Sequence, residues 1–476
     1  MAARSNRAVL IWFLVALIIV TGAFLIILAI NMFGGNPQNN GENPPILNTE
    51  LKIPQILADQ NPDSKGAKYV LEAMNGQSQF IEGLRTDTLG YNGSYLGPVI
   101  KMRKGEEVSI TLKNSLGVST TLHWHGLIVD GDDDGGPHQG IKPGETWTPE
   151  FVVDQNAATL WYHPHLMETT SNQVYQGLSG LIFIEDEVSD QLSIPHDYGI
   201  NDIPLIVQDR NFNADGSFDY QVSMMGPVPG NVMLVNGTIS PYFNVTEGIV
   251  RFRILNASNS ENFEFRLSDG ETFYQIASDG GFLSAPVERR TLFLAPSERA
   301  EILVDFRTSR EPLSLVASGR EVLTFNILET KTNYAVLPET LAVIEDIPLG
   351  TGPVERTFAI QSMGISGTIN GKSFDMDRID EKVKLGETEI WTITNIGGMM
   401  QGLGHPFHVH GTQFQILSRN NQKPSEAESG FKDTVFVALG EEAKIKVRFT
   451  HQGVYMYHCH ILEHEDNGMM GQFLVE

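Results

Sequence analysis

Tyr457-His458-Cys459-His460-Ile461-Leu462-Glu463-His464-Glu465-Asp466-Asn467-Gly468-Met469-Met470 contains the only cysteine of the chain, set between two histidines. His464 follows Cys459 by five residues and Met469 by ten. A thiolate, an imidazole and a late methionine form the ligand set of a blue-copper electron-transfer site. His458 and His460 cannot share that site if the stretch is a strand, because successive side chains point to opposite faces. One strand would then touch two metal sites, about 10 Å apart across its thickness. That arrangement suits the passage of electrons from one copper to others.

The other histidines form the rest of the pattern. The chain has thirteen, and only His138, His196 and His451 lie outside four short motifs. The motifs are His123-Trp124-His125-Gly126, His163-Pro164-His165, His405-Pro406-Phe407-His408-Val409-His410-Gly411, and the opening stretch. A lone His-x-His on a strand is weak evidence, more often a surface or satisfied core pair. Four of them at matching points of two repeats are strong. Spacing of i, i+2 aims both imidazoles of a pair to one face and turns Trp124 and Val409 into the core. Eight imidazoles exceed the needs of one metal and suffice for a cluster of three between two domains. His405, Cys459, His464 and Met469 are left to form a separate mononuclear site.

The repeats themselves are read from three stretches: Asn92 to Asn114, Asn236 to Asn256 and Asn370 to Asn395. Each opens on an Asn-Gly turn signal, passes a further turn and ends in an alternating apolar strand. The Asn-Gly pairs are 144 and 134 residues apart, the length of a domain. Later strands repeat too, after Pro143-Gly144-Glu145, Pro296-Ser297-Glu298 and Gly440-Glu441-Glu442. Short strands at regular spacing predict an all-β protein of three consecutive Greek-key β-sandwiches. Their expected ranges are 66–190, 203–335 and 355–476. The middle repeat carries Asn262-Phe263-Glu264-Phe265 where the others carry histidines, and so reads as a structural spacer.

Composition bounds the partners. The 476 residues carry a formal charge of -25, which disfavours nucleic acid and anionic membrane surfaces. A single cysteine allows no internal disulfide. Arg4 and Arg7 precede an apolar run from about Val9 to Phe33, longer than the roughly 20 residues that cross a bilayer. The expected plan is a cytoplasmic segment 1–7, a transmembrane helix 8–33 and a flexible stalk 34–65, rich in Asn, Gly and Pro to Pro54. The catalytic part would lie outside the cytoplasm, at the cell surface or in the periplasm. The competing reading is a long signal peptide that is removed, leaving a secreted protein. Sequons at Asn92, Asn236, Asn244 and Asn256 read as hairpin turns before they read as glycan sites. Nothing in the sequence reports oligomeric state.

The motif set closely resembles that of the three-domain multicopper oxidases, above all the laccase-like, copper-efflux and spore-coat branch. The likeness runs from about Gly66 to the C-terminus. It implies three cupredoxin domains and four copper ions. His405, Cys459, His464 and Met469 would hold the type 1 copper, and His123 and His408 the type 2 copper. His125, His163, His165, His410, His458 and His460 would hold the type 3 pair. Asp134, in Gly131-Asp132-Asp133-Asp134-Gly135, and Glu465 would be proton-relay acids, although a solvated turn and a surface charge are their plain readings. Glu463 and Asp466 read as surface charges, and Met470 as packing. The implied activity is oxidation of a reductant, one electron at a time, coupled to reduction of O2 to water. Phenols, aromatic amines or a low-valent metal ion are the candidate reductants.

The copper-efflux branch carries a methionine-rich insertion that this chain lacks. Met399 and Met400, in the loop before His405, could steer Cu(I), but ordinary loop packing is the simpler reading. Met363 and Met376 are the other methionines of the third domain before His405. Three alternatives compete with the oxidase. A copper nitrite reductase needs neither a third domain nor eight cluster histidines. A division-associated scaffold would have lost its ligands. A copper store would bind metal and consume no oxygen.

Overall fold

The computed structural model describes residues 49–62, 66–307, 312–331, 337–398 and 404–476. The expected cytoplasmic segment and membrane helix lie outside these. Among the described residues no helix is long and apolar enough to cross a membrane.

Residues 46–476 form one compact unit. Within it, three double-sheet sandwiches follow one another. In the first, a sheet containing Gly66–Ser78 and Glu107–Asn114 faces a four-stranded sheet that carries His123–His125 and Ala158–His163. The third repeats this with Val354–Met363 and Thr388–Asn395 against a five-stranded sheet carrying His405–Val409 and Gly453–Cys459. The middle sandwich has a seven-stranded and a five-stranded sheet. Each has its own apolar core. Trp124 and Val409 fill the first and third cores, while Phe263 and Phe265 fill the middle one.

The repeated asparagines explain why three diverged stretches fold alike. Asn92, Asn236 and Asn370 all take the left-handed conformation, at φ 55°, 50° and 54°. Asn tolerates that region better than most residues. In each domain this side chain accepts from one backbone N–H of the domain's first strand and donates to a carbonyl two residues earlier: Glu72 and Val70, Ile206 and Pro204, Ala359 and Thr357. The closing asparagines repeat as well. Asn114, Asn256 and Asn395 donate to Ile141, Leu294 and Val437 carbonyls and accept from the N–H two residues on. Asn236 and Asn256 are buried with their amide nitrogens bonded, so neither presents a glycan site.

The stalk expectation needs correcting from Thr49 onward. Leu51 is buried and its N–H donates to the Tyr242 carbonyl, while Leu57 N–H donates to Val99. Ile53 packs on the middle core and Leu57 on the first. The apolar residues Leu51, Ile53 and Leu57 outweigh the turn tendency of Pro54. The segment between the second and third sandwiches is also docked, with Leu341 N–H on the Ser284 carbonyl and Ile347 N–H on Gln415.

Candidate metal centre

Strand register places the histidines. His123 faces His163 across one antiparallel pair, and His408 faces His458 across the equivalent pair of the third sandwich. Both His-x-His strands end at a glycine in the left-handed region, Gly126 at φ 93° and Gly411 at φ 69°. A Cβ on Gly126 would sit 2.6 Å from Asp433 Oδ2, and one on Gly411 2.4 Å from the Tyr455 ring.

The eight motif histidines of the first and third sandwiches meet in one buried cluster. His123 stacks on His410 at 3.8 Å between centroids and His125 on His408 at 3.7 Å. His458 Nε2 lies 3.1 Å from both His165 Nε2 and His410 Nε2. His460 packs 4.9 Å from His125 and 5.3 Å from His163. Outward nitrogens are bonded: His123 Nδ1 to the Asp134 carbonyl at 3.0 Å, His163 Nδ1 to Pro164 at 2.8 Å, and His408 Nδ1 to Asp433 at 2.8 Å. His458 Nδ1 donates to the Cys459 carbonyl at 3.1 Å. The inward nitrogens His123 Nε2, His125 Nδ1, His163 Nε2 and His408 Nε2 are buried without a hydrogen-bond partner, and neither nitrogen of His460 has one. Buried polar atoms are nearly always satisfied, so such a convergent set fits metal ions. Burial, and after it the neighbouring imidazoles, holds His125, His165, His408 and His410 well below the ordinary range. Neutral imidazole is the form that binds a metal.

Cys459 faces the other way. Its Sγ lies 3.3 Å from His405 Nδ1 and 3.7 Å from His464 Nδ1. His464 donates through Nε2 to the Gly364 carbonyl at 3.1 Å, which leaves Nδ1 for a metal. Burial lowers His405 to about 3 and His464 to about 4, and pushes the Cys459 thiol up. Met469 is fully buried, and its carbonyl accepts from Cys459 N–H at 3.1 Å. A Cβ on Gly367 would overlap the Met469 methyl, so a glycine there makes room for the thioether.

Asp134 and Glu465 are both buried against the cluster, not solvated. Asp134 Oδ2 accepts from His410 Nδ1 at 2.8 Å, and its Oδ1 has no partner. Glu465 lies 3.4 Å from His165 Nδ1 and 3.3 Å from His458 Nδ1. Burial, then Asp466, raises Glu465 well above the carboxylate range. The expectation that Glu463 and Asp466 are surface charges is wrong. The short helix Leu462–Asp466 is tucked against Thr170–Gln176. There Glu463 accepts from Tyr220 and Asn259, and Asp466 accepts the N–H groups of Thr170 and Ser171. The outlying histidines have local partners: His138 with Gln472, His196 with the Ile194 carbonyl and His451 with Thr450.

Two features escaped the sequence. Asp433 bonds His125 Nε2 at 3.0 Å but carries no spacing signal. Met224 and Met225, 89% and 65% exposed, sit on a hairpin of the ligand-free middle sandwich. The Met224 carbonyl accepts from Ile365 N–H beside Gly364, the roof of the Cys459 site. Met399 and Met400 lie outside the described residues.

Comparison with known proteins agrees with this geometry. Family models described as multicopper oxidase match residues 72–189, 187–339 and 350–476. The multicopper oxidase mco of Staphylococcus aureus is 43% identical over 90% of this chain and 92% of its own. The cell division protein FtsP of Escherichia coli is 35% identical over 89% and 92%. A laccase structure from Pediococcus acidilactici superposes with a TM-score of 0.88 at 38% identity, covering 91% of this chain and 95% of that one. The family models and the oxidase and laccase relatives, with two histidine-bearing sandwiches closing on one buried cluster, make the chain an oxidoreductase with O2 as acceptor and four copper ions as cofactor, a member of the multicopper oxidase family.

Proposed function

We infer that His405, Cys459, His464 and Met469 hold the type 1 copper, and His123 and His408 the type 2 copper. His165, His410 and His458 would hold one type 3 copper, and His125, His163 and His460 the other. The observation that carries this reading is the set of inward imidazole nitrogens, buried and unpartnered, that converge from two sandwiches. Held there, copper would supply single-electron acceptance at the thiolate site and four-electron delivery to O2 at the cluster. The chain supplies the wiring. Cys459 joins the two sites through its backbone neighbours His458 and His460, with the Cys459 carbonyl to His458 Nδ1 bond as a shorter branch.

Oxygen reduction also consumes protons. Asp134 Oδ1, buried without a partner, is the atom at which one is held beside the cluster. Glu465, between His165 and His458, holds another. Phenols and aromatic amines are the reductant class, since they need only a surface near His464. A low-valent soft metal ion is the second reading, favoured by the exposed thioethers of Met224, Met225 and Met363 around Gly364. Oxygen uptake by copper-loaded protein against a substituted phenol, Cu(I), Fe(II) and Mn(II) tests the assignment. A loaded protein that consumed no oxygen with any of them would be a copper store.

The apolar run from Val9 to Phe33, with Arg4 and Arg7 before it, supports anchorage with the catalytic part outside the cytoplasm. Membrane fractionation with N-terminal sequencing distinguishes the anchor from a cleaved signal.

A further inference from the structure

The middle sandwich supplies no candidate copper ligand, yet its side chains reach the cluster through one intervening residue, Arg299 through Asp433 and Ser297 through Thr434. Arg299, on the strand Arg299–Asp305, is fully buried. Its guanidinium grips Asp433 with two parallel bonds, 2.8 Å to Oδ1 and 2.6 Å to Oδ2. The remaining donors are also used. Nε reaches the Thr159 carbonyl of the first sandwich at 3.0 Å, and the two terminal nitrogens reach the Ser297 and Asp279 carbonyls. One side chain therefore bonds to all three sandwiches. Asp433 in turn lies on the cluster: Oδ1 is 3.0 Å from His125 Nε2, and its carbonyl accepts from His408 Nδ1. Gly126, at the end of the first His-x-His strand, leaves the space that Asp433 and Arg299 occupy.

His125 is the point where this matters. Six of the other cluster histidines turn Nε2 inward, whereas His125 turns Nδ1 inward and directs Nε2 to Asp433. A ring that donates through Nε2–H keeps its lone pair on Nδ1, and such partners fix tautomer and orientation. A planar fork fixes a carboxylate in two dimensions, which a lysine cannot do.

We propose that Arg299 of the middle sandwich is a positioning residue for the copper cluster, acting through Asp433 to hold His125 in the Nδ1-ligating tautomer. The inference rests on the ligand assignment above, and it gives the middle domain a part in the chemistry of a site to which it contributes no ligand.

The test compares Arg299→Met, Arg299→Lys, Asp433→Asn and the Arg299→Met/Asp433→Asn double variant with the parent protein. Readouts are copper per chain, the thermal midpoint, the visible band of the thiolate copper, and the near-ultraviolet band with the paramagnetic silence of a coupled pair. For Arg299→Met, cluster copper affinity is expected to fall about 10- to 100-fold and the coupled-pair signature to be lost, with the thiolate band kept. Arg299→Lys should fall between, and it answers the question if Arg299→Met does not fold. The double variant should lose no more than Asp433→Asn alone, because the two act in series. Unchanged cluster affinity and coupling in Arg299→Lys and Arg299→Met would overturn the proposal. Additive losses, or a thiolate band that falls in step with the cluster, would do so too, since they mark a role in general stability. A parent protein that takes up no copper overturns the ligand assignment itself, a result visible before any variant is compared.

Discussion

At the residue scale, Cys459 and Asp134 separate the two sites by experiment. Cys459→Ser keeps the size of the side chain and removes the soft thiolate. The blue absorption and oxygen turnover should vanish while the histidine cluster still binds copper, as read by absorbance and metal analysis. Asp134→Asn keeps an acceptor for His410 Nδ1 and removes a proton carrier. Turnover should drop about 100- to 10,000-fold with the blue band intact, the range general acid–base groups contribute. Stopped-flow reduction of the thiolate copper should be unaffected, because Asp134 touches only the cluster.

At the scale of the element, the paired asparagines are the joints of each sandwich. Asn256 is buried and binds the Glu261 and Leu294 carbonyls and Ser258 N–H. Asn256→Ala orphans those groups where water cannot reach them, at a cost of about 1–3 kcal/mol. Asn92, an opening asparagine, makes one accepting and one donating bond in an exposed turn, so Asn92→Ala should cost clearly less. Chemical-unfolding midpoints of the two variants test the ordering. These asparagines were legible as turn signals and as a repeat. Their bonding to the first strand of each domain was not, since that needs to know which strand the turn lies against, as where Tyr91, Val235 and Ile369 pair antiparallel with Ala73, Val207 and Ile360.

At the scale of the whole molecule, the first and second sandwiches meet on an apolar seam of Leu96, Val99, Trp161, Phe183, Ile206 and Leu255. Beside it lies a buried ionic set. Arg253 forks onto Asp202, Arg251 binds Glu301, and Thr159 of the first sandwich links Arg253 to Glu301. Burial opposes ionisation of Asp202 and Glu301, but the two guanidiniums outweigh it and hold both carboxyls below their usual range. A depressed folded-state pKa contributes stability above the unfolded value, near 4, that is lost as pH falls through the folded one. The share of the melting temperature that these two carboxyls contribute should therefore be constant above about pH 5 and be lost below about pH 4. Asp202→Asn should melt lower at neutral pH, because it leaves buried cations uncompensated, and the gap should narrow in acid. Melting curves across pH check both.

Local pattern was enough to read the three sandwiches and every histidine of the cluster. The strand periods of two, the Asn-Gly turns and the His-x-His pairs are local patterns, and each is fixed by backbone geometry within a few residues. The packing of distant segments set the rest: that Asp134, Glu465, Glu463 and Asp466 are buried, that Asp433 lies on His125, and that a domain without ligands reaches the cluster through Arg299. Burial and long-range pairing depend on which surfaces meet, and a carboxylate in a loop or a single helical turn carries no period that distinguishes solvent from a protein wall.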